Sequence, residues 1–334
     1  MELIQPSYYN KFHCLAGACP DSCCQAWEVE IDPETAELYY HLPGELGEAI
    51  RQVMQAENDE IWLENSGERC PMWREDGLCR IQAALGEEAL SKVCREFPRL
   101  RQDYGDFVEL GLEMSCPEAA RIMLEADSWC LEMQTLPGGD APDYEAETMA
   151  LLQCCRPYAF ALLQNRQYTV NERLALLLMY AYHVQALLDG DDGSNFDLTA
   201  ALKEARDFAA PGDSAALFDF YRNLEILTDP WRDLLHAGPQ SPCWDEALCR
   251  FSQYGVYRFF YQAVSDWDLV GRMKMIVAGC VLCALLCGSG APQSVLQLYA
   301  KEIENDADNI DALLDGAYTE AALRDANLLG LLLK

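Results

Sequence analysis

The sequence predicts a mainly α protein: a cysteine-rich, metal-cluster N-terminal module of short helices and loops, followed by an irregular α-helical bundle. Three observations carry this. Eight of the sixteen cysteines fall between Cys14 and Cys116, in loops rich in Gly, Pro and Asp. The run Leu136-Pro137-Gly138-Gly139-Asp140-Ala141-Pro142-Asp143 breaks any helix. Beyond it, nearly every segment repeats apolar residues at helical spacing. The module is placed at 1–125, a connector at 126–147 and the helical domain at 148–334. A chain of 334 residues suits two domains, since single cores stop growing near about 250–300 residues.

Within the module, helical pieces alternate with loops. Asp32 caps a helix that has Pro33 at its first position. Glu45 to Gln55 reads as a second helix, and Ile81 to Glu96 as one or two short ones ended by Pro98. Ser115-Cys116-Pro117-Glu118 has capping-box spacing, which puts Cys116 in a first helical turn. Free backbone N–H groups and the helix dipole favour a thiolate there.

After the connector, Thr169-Val170-Asn171-Glu172 is a second capping box, ahead of an apolar helix central to its domain. Further helices are read at 148–165, 198–208, 214–226, 244–264, 269–287, 292–304 and 310–332, with turns at Asp229-Pro230 and Gly288-Ser289-Gly290. The longest apolar run, Met275 to Cys287, is shorter than the roughly 18 residues of a membrane span and reads as a buried core helix. Cys280, Cys283 and Cys287 share one face of it, a core stripe. Cys154 and Cys155 read in the same way.

Charge and the N-terminus bound the function. Lys and Arg number 24 against 55 Asp and Glu, a formal charge of −31. That field repels nucleic acid and draws a cationic partner, such as a lysine-bearing protein surface. Met1-Glu2-Leu3-Ile4-Gln5-Pro6 has neither a basic nor an apolar leader region, so no secretory signal is read and a cytoplasmic location is expected. In a reducing compartment, clustered cysteines point to metal or catalysis, not to disulfides.

Cys14, Cys19, Cys23 and Cys24 lie within eleven residues, and Cys70, Cys79, Cys94 and Cys116 complete the set. Soft thiolates select zinc, copper(I) or iron-sulfur clusters, and only His13 and His41 are nearby in sequence. Zinc favours closely spaced knuckle pairs, which are missing here, whereas iron-sulfur clusters accept spacings such as C-x4-C. Iron-sulfur is the favoured reading and zinc the alternative. One cluster on four ligands and two centres on eight both remain open.

At these residues the chain resembles the bacterial flagellin lysine-N-methylases and, through them, a broader group of iron- or zinc-chelating bacterial proteins. The resemblance runs over about residues 1–125. It is carried by Tyr8-Tyr9, Phe12, Cys14, Cys19-x-Asp21-x-Cys23-Cys24-x-x-Trp27, Asp32, Cys70-Pro71, Gly77-Leu78-Cys79-Arg80, Cys94-Arg95-x-Phe97-Pro98-Arg99 and Ser115-Cys116-Pro117-Glu118. It implies an enzyme that uses a [4Fe-4S] cluster and S-adenosylmethionine to methylate surface lysines of flagellin or a similar protein. Arg95 and Glu118 are the candidate cofactor contacts, Arg95 with Arg99 because guanidinium groups grip carboxylates. Tyr8, Tyr9, Asp21, Asp32 and Glu118 are candidate bases, because lysine must lose its proton before accepting a methyl cation. No G-x-G-x-x-G fingerprint is present, and the radical S-adenosylmethionine spacing fails at Ala26. Another cluster-using redox or modifying enzyme, and a non-catalytic zinc- or iron-binding interaction protein, are the alternative readings.

Overall fold

The computed structural model describes residues 1–24, 29–58, 60–64, 69–126, 129–193, 195–288, 290 and 292–334. It corrects the expected fold class. The chain is α+β, not mainly α, because strands in two sheets occupy the N-terminal region that was read as helices and loops. The strands are β1 (Glu2–Pro6), β2 (Val29–Glu30), β3 (Met54–Glu57), β4 (Glu60–Leu63), β5 (Arg99–Asp103), β6 (Phe107–Leu112) and β7 (Leu131–Thr135). One sheet has the order β5-β6-β1-β7, with β1 and β6 parallel and the other pairs antiparallel; the other has the antiparallel order β2-β4-β3.

These strands escape a reading by periodicity because none exceeds six residues and few alternate. β6 is buried on nearly every side chain and β7 is exposed on every one, so neither shows a period of two. The β5–β6 hairpin did carry a turn signal, Tyr104-Gly105-Asp106, in which Gly105 adopts φ +86°.

The four-stranded sheet packs on the helices in one large core. Ile4, Phe107 and Leu112 join Leu152, Leu174, Tyr254 and Cys280 there. Glu109 of β6 is fully buried and accepts two hydrogen bonds from Arg156, at 2.8 and 2.5 Å. Tyr257 donates to the carbonyls of Ile4 and Leu110. A second, smaller core lies between the three-stranded sheet and the helices Pro33–His41 and Gly44–Val53. It contains Val29, Ile31, Tyr39, Ile50, Leu63, Met72 and Ile81.

The helices after the connector follow the pattern closely, with Ala146–Gln164, Val170–Leu188, Leu198–Phe208 and Leu269–Cys287 among them. By length and composition Leu269–Cys287 is apolar enough to cross a membrane, yet every residue of it is buried inside the protein. Two readings need correction. Asp229-Pro230 is not a turn between helices but opens the helix Asp229–Ala237, because proline is favoured in a first turn. The helix read at 310–332 is two, Ala307–Thr319 and Asp325–Leu333, separated by a 3-10 turn.

Candidate metal centre

The early thiols gather in two places. Three of them, Cys70, Cys79 and Cys94, pack against the small core. Cys70 N donates to the carbonyl of Cys24 at 2.8 Å, which brings the first cysteine loop onto this group. A tight ladder, Arg74 N to Leu78 O and Arg80 N to Met72 O, folds Cys79 back toward Cys70. Cys94 lies on the short helix Lys92–Glu96, whose start is tied down by Asp32: its carboxylate accepts from Lys92 N at 2.8 Å and from Thr35 N at 3.0 Å.

Electrostatics shows the same convergence. Burial pushes the Cys70 thiol up to about 12, and the neighbouring Cys24, Cys94 and Cys79 add to the rise. Burial likewise pushes Cys94 up to about 11, reinforced by Cys24 and Cys79. Cys24 goes the other way, held down to about 7 by hydrogen bonds from Cys23 and Ser22 despite its burial. Cys70 and Cys94 therefore hold their protons at neutral pH, and a bound metal cation would displace them. The Ser91 side chain hydrogen-bonds the Cys94 thiol, and one buried donor in these segments, Trp73 Nε1, has no hydrogen-bond partner among the described residues. Soft sulfur donors near an unsatisfied indole N–H fit a sulfide-bearing cluster, whose sulfurs accept hydrogen bonds.

Cys14, Cys19 and Cys116 form the other gathering, against the large core. Cys116 is buried in that core and is the N-cap of the helix Pro117–Glu125. Its thiol feels Cys19 and Cys14 as neighbours. The expected thiolate bias at this helix start is present, through hydrogen bonds from Ala119 and Glu118 N–H, but burial outweighs it and pushes the thiol up to about 11. The Ser115–Glu118 capping box does not form: Ser115 Oγ turns to Glu113 and Glu118 turns to Arg121. Asp21, between Cys19 and Cys23, anchors this loop. Its carboxylate accepts from Gln297 Nε2 at 2.9 Å and Lys301 Nζ at 2.7 Å, and Gln297 also donates to Ser115 O at 2.6 Å. Lys301 sits in a π-helical turn, Ala300–Glu304, a distortion that often marks functional positions.

The two gatherings meet at a glycine seam. A Cβ on Gly17 would stand 2.8 Å from the carbonyl oxygen of Asp76, and one on Gly77, at φ +78°, would stand 3.1 Å from Gly17 Cα. Backbone therefore touches backbone where the Cys14–Cys19 loop meets the Cys70–Cys79 turn. Cys23 lies between the groups, with Cys24, Cys94 and Cys14 as neighbours.

The remaining candidates are dispersed in role. Arg95 is half-buried beside Cys94, and among the described residues neither it nor Arg99 forms an ion pair with a carboxylate. Arg99 lies over the Phe12 ring, 5.3 Å from its centroid. Glu118 is gripped by Arg121 at 2.9 and 2.7 Å, which holds its carboxyl below the usual range. Tyr8 is buried edge-on to Trp129, and burial raises its hydroxyl. Burial also raises Tyr9, against the pull of Arg99. Trp27 and Ala26 lie outside the described residues. The later cysteines Cys249, Cys280, Cys283 and Cys287 are buried in the large core, apart from both gatherings. Sequence reasoning missed Gln297 and Lys301, for which no local signal existed.

Comparison with known proteins gives three relatives. The chain is 28% identical over 203 residues to the Lysine-N-methylase of Salmonella typhimurium, covering 58% of this chain and 50% of that protein. It is equally similar to the Lysine-N-methylase of Salmonella choleraesuis. It is 33% identical over 137 residues to the Flagellar biosynthetic protein FliU of Salmonella muenchen, covering 39% of this chain and 81% of that protein. The chain thus spans about half the length of the two methylases it matches. A match of 203 residues is longer than the cysteine-rich stretch and extends into the helical part. No protein-family model and no solved structure matches the chain.

Proposed function

The chain belongs to the flagellin lysine-N-methylase family, and from that premise we propose that it is an iron-sulfur-dependent protein lysine N-methyltransferase using S-adenosylmethionine. The observation that carries this reading is the 203-residue match to a protein named Lysine-N-methylase. The substrate proposed is flagellin or a similar lysine-bearing protein, and the strong negative charge of this chain favours such a cationic surface.

The thiols support the cluster. Among the described residues, no three cysteine sulfurs lie within 4.8 Å of one another. Four thiolates on one tetrahedral zinc would stand roughly 3.8 Å apart, given a Zn–S bond of about 2.3 Å. A polynuclear cluster would hold its thiolates further apart than a single zinc does. When bound, such a cluster supplies redox or Lewis-acid chemistry.

The polypeptide's own part is positioning. Arg95, next to Cys94 and without a carboxylate partner, is placed to hold the methionine carboxylate in a bidentate grip. Asp21 and Asp32 are committed to anchoring and Glu118 to Arg121, so none of these carboxylates is free to take the lysine proton. Lysine, with a pKa of about 10.4, must reach the site neutral, and desolvation on docking supplies that.

Incubating anaerobically purified protein with labelled S-adenosylmethionine and flagellin should place label on lysine side chains, read by peptide mass spectrometry. Metal-replete protein that binds S-adenosylmethionine yet transfers nothing to any lysine-bearing protein would refute the assignment. Arg95→Ala should raise the KM for S-adenosylmethionine about tenfold, the loss of one charge-assisted hydrogen-bond pair. An unchanged KM would remove Arg95 from the site.

A further inference from the structure

We propose that the early thiols build two separate metal centres: a closed one on Cys24, Cys70, Cys79 and Cys94, and an open one on Cys14, Cys19 and Cys116. This rests on the cluster reading above and divides it.

The division follows the packing. Cys70, Cys79 and Cys94 line the small core, and Cys24 is bound to them through the 2.8 Å hydrogen bond from Cys70 N to its carbonyl. Cys116 belongs instead to the large core. Cys19 is brought to it from the other side, because Asp21 and Ser115 share Gln297 as donor. Cys19 and Cys24 are only five residues apart, yet each loop end is fastened to a different core.

The two centres also differ in ligand number and exposure. The first has four thiols, all partly shielded, and the unpartnered donor Trp73 Nε1 in its segments. Four protein ligands leave no vacant position, which suits a structural or electron-transfer role. The second has three thiols, of which Cys14 is exposed to solvent. Three ligands would leave one metal position for an exogenous molecule. Lys301, hydrogen-bonded to Asp21, places a positive charge close to Cys19. Cys23 stands at the seam as the thiol between the two.

Metal analysis and electron paramagnetic resonance on anaerobically purified full-length protein separate the outcomes. Wild-type protein should show two overlapping reduced-cluster signals. Cys94→Ser should lose about half of the iron and sulfide with one signal, and Cys116→Ser about half with the other. Lys301→Met, which alters no thiol, should shift only the second signal and keep full iron content. If either cysteine variant, still showing native helical circular dichroism, loses all iron, the thiols serve one shared centre and the division is wrong. A Lys301→Met protein with both signals unmoved would equally overturn the placement of the second centre. Wild-type protein free of iron and sulfide would instead remove the cluster reading on which the division rests.

Discussion

Asp32 and Asp21 show how single side chains fix the cysteine-bearing segments from outside them. Asp32 caps one helix and, through Lys92 N, holds the next, which carries Cys94 and Arg95. Burial opposes its charge, but hydrogen bonds from Lys92 and Thr35 win and lower its pKa below the ordinary 3.8. A carboxylate with a depressed folded pKa stabilises the protein above its unfolded pKa, and this contribution disappears as pH falls through the folded value. Asp32→Asn should therefore melt at a lower temperature than wild type at pH 7. The gap should close below about pH 4, near the unfolded pKa of aspartate. A gap that persists at pH 2 would show that the carboxylate charge is not what matters. Sequence reasoning found the Asp32 cap, because capping is local. It had no access to Gln297 and Lys301, which reach Asp21 across 276 and 280 residues.

Among elements, the loops and short strands decide the architecture. Gly17 and Gly77 let two cysteine-bearing segments touch backbone to backbone. Gly77→Ala, at φ +78° and against Gly17, should destabilise the protein by about 1–3 kcal/mol and reduce metal retention. Gly86→Ala, also at positive φ but with open space around it, should carry backbone strain yet keep full metal content. Equal metal loss in both variants would place the effect in backbone strain and not in the seam. The helices were legible because each is long enough to repeat its apolar positions several times. β6 and β7 were not, since a central strand buried on both sides and an edge strand exposed on both lack alternation, and β5 alternates in burial but has only Leu100 as an apolar residue. The Glu109–Arg156 pair, buried between β6 and the helix Ala146–Gln164, shows what joins sheet to helices. Arg156→Met should cost about 3–5 kcal/mol by stranding a buried carboxylate, read as a drop in denaturation midpoint. Wild-type stability in that variant would mean that Glu109 takes up a proton without cost.

Across the whole molecule, a large helical core carries stability, and three of the eight early thiols, Cys70, Cys79 and Cys94, pack on a small one. The small core is thin, so metal binding at the proposed site would couple to its folding. Removing metal should raise hydrogen exchange from Val29 to Cys94 while the helix Leu269–Cys287 stays protected. Cys283→Ser, buried in the large core, should keep full metal content. The cysteine pattern, the acidic charge and the helical half could be read from the sequence because they are matters of spacing and composition. The division of the thiols between two cores could not, because it depends on which loop end is fastened to which core. The most direct test of the account is the iron, zinc and acid-labile sulfide content of wild-type protein purified without oxygen. Iron with matching sulfide is the predicted result; zinc without sulfide would contradict it and leave the thiols as a structural zinc-binding framework.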